Sequence, residues 1–153
     1  MNKQCVVVGI GNPYIQDDRA GVAVIEMLEK EGLPCQTEVV YTVGFDVMDK
    51  IRGYERAIIV DACMLGNVPG SILEVTVDDI FNTHAPVDSH AVTLGAALKT
   101  GLTCFPDEMP EDIRIILIEA KEIQAFTQQM SPEVEEAVLR VVDRIRTLVA
   151  ALD

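Results

Sequence analysis

Aliphatic runs along the chain alternate with stretches whose apolar residues recur every three or four positions. Residues 4–10 (Gln-Cys-Val-Val-Val-Gly-Ile) predict a strand buried on both faces. Residues 19–31 place Val22, Val24, Ile25 and Leu28 at helical spacing, with Gly32 as the stop. A strand over 36–42, a short helix over 45–51 ended by Gly53, and a third buried strand over 56–60, ending at Asp61, follow in turn. Gly66-Asn-Val-Pro-Gly70 reads as a tight turn before a strand over 71–77. That link is too short for a crossover helix, which leaves this strand free to run antiparallel. A helix over 89–99 stops at Gly101, a polar loop covers 104–112, and 113–119 is a further strand. Ser131-Pro132-Glu133 opens the last helix, with Ser131 as the expected cap and acids complementing the helix dipole. Its stripe of Val134, Ala137, Val138, Val141, Val142, Ile145, Leu148 and Val149 is a core face. The alternation predicts a three-layer α/β/α sandwich around a mostly parallel sheet of about five strands. No repeat or linker interrupts it, so residues 1–153 read as a single domain.

Composition narrows the function. The chain has 153 residues, 49% of them apolar, enough for a sizeable core. Its formal net charge of −13 argues against nucleic acid as a partner. No apolar run is long enough to span a bilayer, and the first strand lacks the flanks of a signal peptide, so the cytoplasm is the expected location. Cys5, Cys35, Cys63 and Cys104 contain no Cys-x-x-Cys pair, and disulfides are not expected in that compartment. Cys5 reads as a core residue. Cys63, two positions after Asp61, is placed near any site there, but a nucleophilic role needs a histidine beside it.

The chemistry concentrates near the start. Strand one runs into Gly9-Ile-Gly11-Asn12-Pro13, and the turn delivers Asp17 and Asp18 to the head of a helix. The pattern invites a dinucleotide fold, but Asn12, Pro13 and Tyr14 replace the rest of the Gly-x-Gly-x-x-Gly fingerprint. Pro13 removes a backbone donor, and two aspartates repel phosphates, so no nucleotide cofactor is expected. In open α/β sheets sites gather beyond the carboxyl ends of the strands. Asp18, Asp61 and His90 all reach that edge, and two carboxylates with one imidazole suit a divalent transition metal. Plainer roles compete. Acids favour a helix N-terminus in any case, Asp61 can cap a turn, and His90 can be an exposed first-turn residue. Asp17 rivals Asp18, and His84 is the other histidine.

These motifs resemble the hydrogenase maturation proteases, which trim the C-terminal extension of the nickel–iron hydrogenase large subunit. The resemblance is carried, in order, by Gly9-Ile-Gly11-Asn12-Pro13 with Asp17-Asp18 and Gly21-Val22, and by Thr42-Val-Gly44. It continues through Ile58-Ile-Val-Asp61-Ala62 with Gly66 and Pro69-Gly70, Ser89-His90, Ile115-Ile-Leu-Ile-Glu119, and Met130-Ser-Pro-Glu-Val-Glu-Glu-Ala137. It implies metal contact by Asp18, Asp61 and His90, with Asp18 or Asp61 as catalytic base. It also implies that the nickel is carried by the large-subunit precursor as a recognition element. The chain departs from the family pattern at Val39-Val40-Tyr41, where many relatives have an acid, at Arg19, and at Ala120, usually a proline. The missing acid motivates an alternative: a nickel-dependent checkpoint or chaperone that holds the precursor without cutting it.

Overall fold

The computed structural model describes residues 4–82 and 88–151. Five strands form one sheet: β1 (Cys5–Ile10), β2 (Gln36–Val40), β3 (Arg56–Cys63), β4 (Ile72–Val75) and β5 (Asp112–Glu119). Their order is β2-β1-β3-β5-β4. The first four in that order are mutually parallel, and β4 alone is antiparallel, pairing Ile72 with Ile118. This is the expected three-layer arrangement. Among the described residues five α-helices pack around the sheet: α1 (Ala20–Glu31), α2 (Phe45–Ile51), α3 (Val77–Asn82), α4 (Ser89–Cys104) and α5 (Pro132–Ala150).

The pleat divides the core in two. Cys5, Val7, Ile58, Val60, Ala62, Ile116 and Ile118 face α1 and α5. Val6, Val8, Ile59, Cys63, Ile115 and Leu117 face the side covered by α2, α3 and α4. Both layers are almost wholly aliphatic. From β1 the chain moves to one side, to β2, and then crosses to the other side, to β3. The order therefore reverses between β1 and β3, the place where such sheets open a crevice at their carboxyl edge.

A close approach sets that crevice. A Cβ on Gly9 would lie 2.3 Å from the Gly21 carbonyl oxygen. One on Gly21 would lie 2.5 Å from the Ile10 oxygen and 2.6 Å from the Val60 oxygen. The head of α1 thus rests directly on the backbones of β1 and β3.

Several sequence expectations need correction. β3 continues through Asp61 to Cys63, so Asp61 lies within the strand rather than at its end. The strand expected over 71–77 stops at Val75, and Val77 begins α3. A reciprocal cap fixes the switch, with Thr76 N donating to Asp79 Oδ2 and Asp79 N to Thr76 Oγ1. α4 runs past Gly101, which is not a stop but a contact point. A Cβ there would meet Met48 Cγ at 2.7 Å and Met109 Cε at 2.8 Å.

Gly21→Ala should cost about 2 kcal/mol or more, because the new methyl has backbone rather than flexible side chain in its way. Urea denaturation monitored by circular dichroism measures it, and a midpoint equal to that of the unchanged chain would contradict the tight seating of α1.

Candidate active site

The loop after β1 closes on its own acids. Gly11 N donates to the Val40 carbonyl, and Asn12 N donates to Asp18 Oδ2 at 2.9 Å. A Cβ on Gly11 would fall 2.0 Å from the Asp18 carbonyl oxygen, so only glycine permits this loop. Asp17 and Asp18 then sit in a single 3₁₀ turn, Gln16–Arg19, and do different things.

Asp17 is fully buried. Its carboxylate accepts from the backbone amides of Lys121, Glu122 and Ser131 and from the Ser131 hydroxyl, at 2.7–2.9 Å. Ser131 was expected to cap α5; instead its side chain is committed to Asp17, while its carbonyl accepts from Val134 N and Glu135 N. Asp17 is therefore a fastener for the segment between β5 and α5. Asp18 is left facing a cavity. Arg19, whose charge the sequence places beside Asp18, turns away to form a bidentate pair with Glu26 at 2.8 Å.

Asp61 is buried on β3, and the pleat turns it to the same side as Ile59 and Cys63, towards α4. Among the described residues its Oδ1 has no hydrogen-bond partner. Burial, and next the neighbouring Asp18 carboxylate, push its pKa well above the usual carboxylate range; a hydrogen bond from the Ala62 amide opposes this, and Asp88 adds to it. A buried, unpartnered carboxyl coupled to a second carboxyl is costly to keep, and such groups concentrate where chemistry is done.

His90 lies in the first turn of α4 and is exposed. Asp88 sets its place. One Asp88 oxygen caps α4 by accepting from Ala91 N at 2.8 Å, and the other accepts from Met64 N at 3.0 Å, joining α4 to the exit of β3. An aspartate just before a helix is a recognisable cap, so the place of Asp88 is written in the sequence. Nothing local in the sequence marks Glu119 as a second acid near the site. Glu119 is buried, accepts from Leu65 N at 3.0 and 3.1 Å, and takes a 3.8 Å hydrogen bond from the Cys63 thiol. Burial and the Glu119 carboxylate push the Cys63 pKa strongly upward, which favours the neutral thiol over the nucleophilic thiolate. His84 lies outside the described residues.

Asp18, Cys63, Asp88 and His90 line one cavity of about 220 Å³, walled by Ala62, Met64, Ala120 and Ile123. Asp61 is not itself among the lining residues. Asp18 and His90 thus share a cavity and the Asp18 carboxylate acts on Asp61 behind it, but among the described residues no three His, Cys, Asp or Glu side chains converge into a metal site. The cavity falls below the roughly 300–1,000 Å³ of small-molecule pockets. It has room for a side chain or a short stretch of peptide.

A family model described as hydrogenase maturation protease matches residues 22–148. The chain belongs to the hydrogenase maturation proteases. The family is one of hydrolases, endopeptidases of hydrogenase maturation, and the matched region includes Asp61 and His90. A hydrogenase maturation protease homologue of Methanocaldococcus jannaschii is 28% identical over 147 residues, covering 93% of this chain and 91% of its own. Two solved structures share the fold. The hydrogenase maturating endopeptidase HybD from E. coli superposes with a TM-score of 0.77 at 20% identity, over 97% of this chain and 93% of its own. The nickel–iron hydrogenase maturation protease HybD from Thermococcus kodakarensis gives 0.79 at 24%, over 95% and 99%.

The buried acids generate two expectations. Asp17→Ala orphans several buried donors and should cost about 3 kcal/mol or more. Urea denaturation measures that loss, and hydrogen exchange should show the amides of 121–131 losing protection. Asp61 keeps its proton to a higher pH folded than unfolded, where aspartate titrates near about 4. The stability this gives is complete below about pH 4 and is lost as pH rises through the folded pKa. Asp61→Asn should therefore melt at or above the wild-type temperature at about pH 8 and show a flatter dependence of stability on pH. A variant that melts lower at high pH than at low pH by the wild-type margin would contradict the assignment.

Proposed function

We propose that this protease removes the C-terminal extension of a nickel-loaded hydrogenase large-subunit precursor, with the precursor's own nickel as the recognition element. The observation that carries the reading is the Asp18–Asp61 pair at the reversal point of the sheet, with one Asp61 oxygen buried and unpartnered. Asp18, Asp61 and His90 approach the substrate's ion, and the donor set of two carboxylates and an imidazole suits a divalent metal of this kind.

Hydrolysis needs a base for the attacking water and an acid for the leaving amine. A carboxyl whose pKa is raised above the ordinary carboxylate range can serve both steps, as base when ionised and as acid when protonated. Asp61 has that character and Asp18 is its partner. Asp88 keeps the head of α4, and with it His90, against the β3 exit.

The missing acid at Val39-Val40-Tyr41 leaves the holding-without-cutting alternative as the other outcome of one experiment. Nickel-loaded and nickel-free precursors are incubated with the protease and weighed by mass spectrometry. The loaded precursor should lose its extension and the nickel-free one should not, with Asp61→Asn cutting neither. A stable complex of unchanged mass would favour the checkpoint reading, and equal cutting of both precursors would reject nickel recognition. A chelator should leave the melting temperature of the protease within about 1 °C, unlike a domain whose folding energy comes from a bound ion.

A further inference from the structure

The aromatic residues are distributed against the grain of the fold. The chain has three tyrosines, four phenylalanines and no tryptophan. Both core layers are mainly aliphatic, and Phe81 of α3 is 40% exposed. Four other rings stand further out in solvent: Phe126 is 83% exposed, Tyr41 66%, Phe45 58% and Tyr14 52%. Each follows the carboxyl end of a parallel strand. Tyr14 comes after β1, Tyr41 and Phe45 after β2, and Phe126 after β5. All four therefore surround the edge that carries Asp18 and His90. Met64, exposed at the exit of β3, and Ile123 carry the same apolar character into the cavity wall.

We infer that this aromatic rim is the surface on which the protease grips its protein substrate, the folded large-subunit precursor; the inference rests on the function proposed above. The cavity holds only a short stretch of peptide, so the remainder of any protein threaded into it must lie on the rim. Area supports this. Rings of this kind bury about 150–250 Å² each when covered, so at their present exposure the four offer on the order of 500 Å². That is more than half of the roughly 800 Å² per partner in a stable protein–protein interface. Aromatic side chains are enriched in protein interfaces, and tyrosine is among the residues that most often dominate their binding energy.

The rim is built in advance of binding. The rings of Tyr14 and Phe126 stack with centroids 6.1 Å apart and planes 18° apart. The segment that carries Phe126 is tied down at both ends by the Asp17 carboxylate, through Lys121 and Glu122 on one side and Ser131 on the other. Between them Gln16 N donates to the Thr127 carbonyl. Little order remains to be imposed when the partner arrives, which favours affinity.

The contact is with rings remote from the reacting bond, so it should hold ground state and transition state alike. Such binding appears in KM and not in kcat. The test pairs Tyr14→Ala with Phe126→Ala in one variant and Tyr41→Ala with Phe45→Ala in another. Leu139→Ala, on the exposed side of α5, is the control. Association with the nickel-loaded precursor of the same organism is measured by biolayer interferometry, and cleavage by mass spectrometry. Each double variant should bind about tenfold or more weakly and raise KM by a similar factor, with kcat within about twofold and Leu139→Ala unchanged. Melting temperatures should stay at the wild-type value, since the removed rings are in solvent. Wild-type cutting with unaltered affinity in both double variants overturns the rim and leaves the proposed function standing. Binding that is lost in the variants although no chain cuts upholds the rim and overturns cleavage. A wild-type chain that neither binds nor cuts overturns both.

Discussion

One carboxylate without access to solvent joins the two halves of the working edge. Asp17 belongs to the turn after β1, and three of its four hydrogen-bond donors belong to the backbone between β5 and α5. The fourth, the Ser131 hydroxyl, comes from the residue that precedes α5. Accepting several backbone amides is the most favourable way to keep an ionised group inside a protein. The consequence is positional. With Asp17 held, its neighbour Asp18 has one direction left, towards the cavity, and the segment bearing Ile123 and Phe126 is fixed beside it. Two adjacent aspartates, alike in sequence, become a structural and a chemical group because only one of them meets a second segment of chain.

Asp61 is the opposite case. It is as buried as Asp17, yet among the described residues one of its oxygens has no partner, and the charges that act on it are those of Asp18 and Asp88. The fold gains nothing from that arrangement, and an apolar residue would be the natural occupant of a β3 position among Ile59, Ala57 and Cys63. An expense of this kind survives where the group acts on something outside the chain. The contrast between the two buried aspartates separates scaffold from site more sharply than burial alone could.

The strands were legible because aliphatic runs in a sheet covered on both faces need no alternation, and the parallel order follows from helices falling between them. The acids were legible only as far as topology reaches. Their place after β1 and within β3 put Asp18 and Asp61 at one edge, and the helix start at Ser89 brought His90 there. What decides between Asp17 and Asp18 is contact across more than a hundred residues of sequence, and nothing local to Asp17-Asp18 announces Ser131. The same holds for Gly101. Glycine in a helical pattern reads as a stop, but here it makes room for Met48 and Met109 from elsewhere in the chain. α3 was hidden differently. Its cap, Thr76-Val-Asp-Asp79, is written in the sequence, but the apolar run from Ile72 drew the strand over it.

Under the proposed function, an incomplete ligand set is an advantage. Three side chains arranged to hold an ion tightly by themselves would fill from solution, and a filled site could not distinguish a precursor that carries nickel from one that does not. Selectivity is a difference between two affinities, so it grows when the protease has little affinity for the free ion and the substrate supplies the missing ligands. On that reading the labour divides: Asp18, Asp61 and His90 would read the metal, the small cavity would admit the peptide, and the aromatic rim would supply affinity that does not depend on nickel. Binding held mainly by the rim would let the protease sample every precursor, and a cut would follow only where the ion draws the peptide into the cavity beside Asp18.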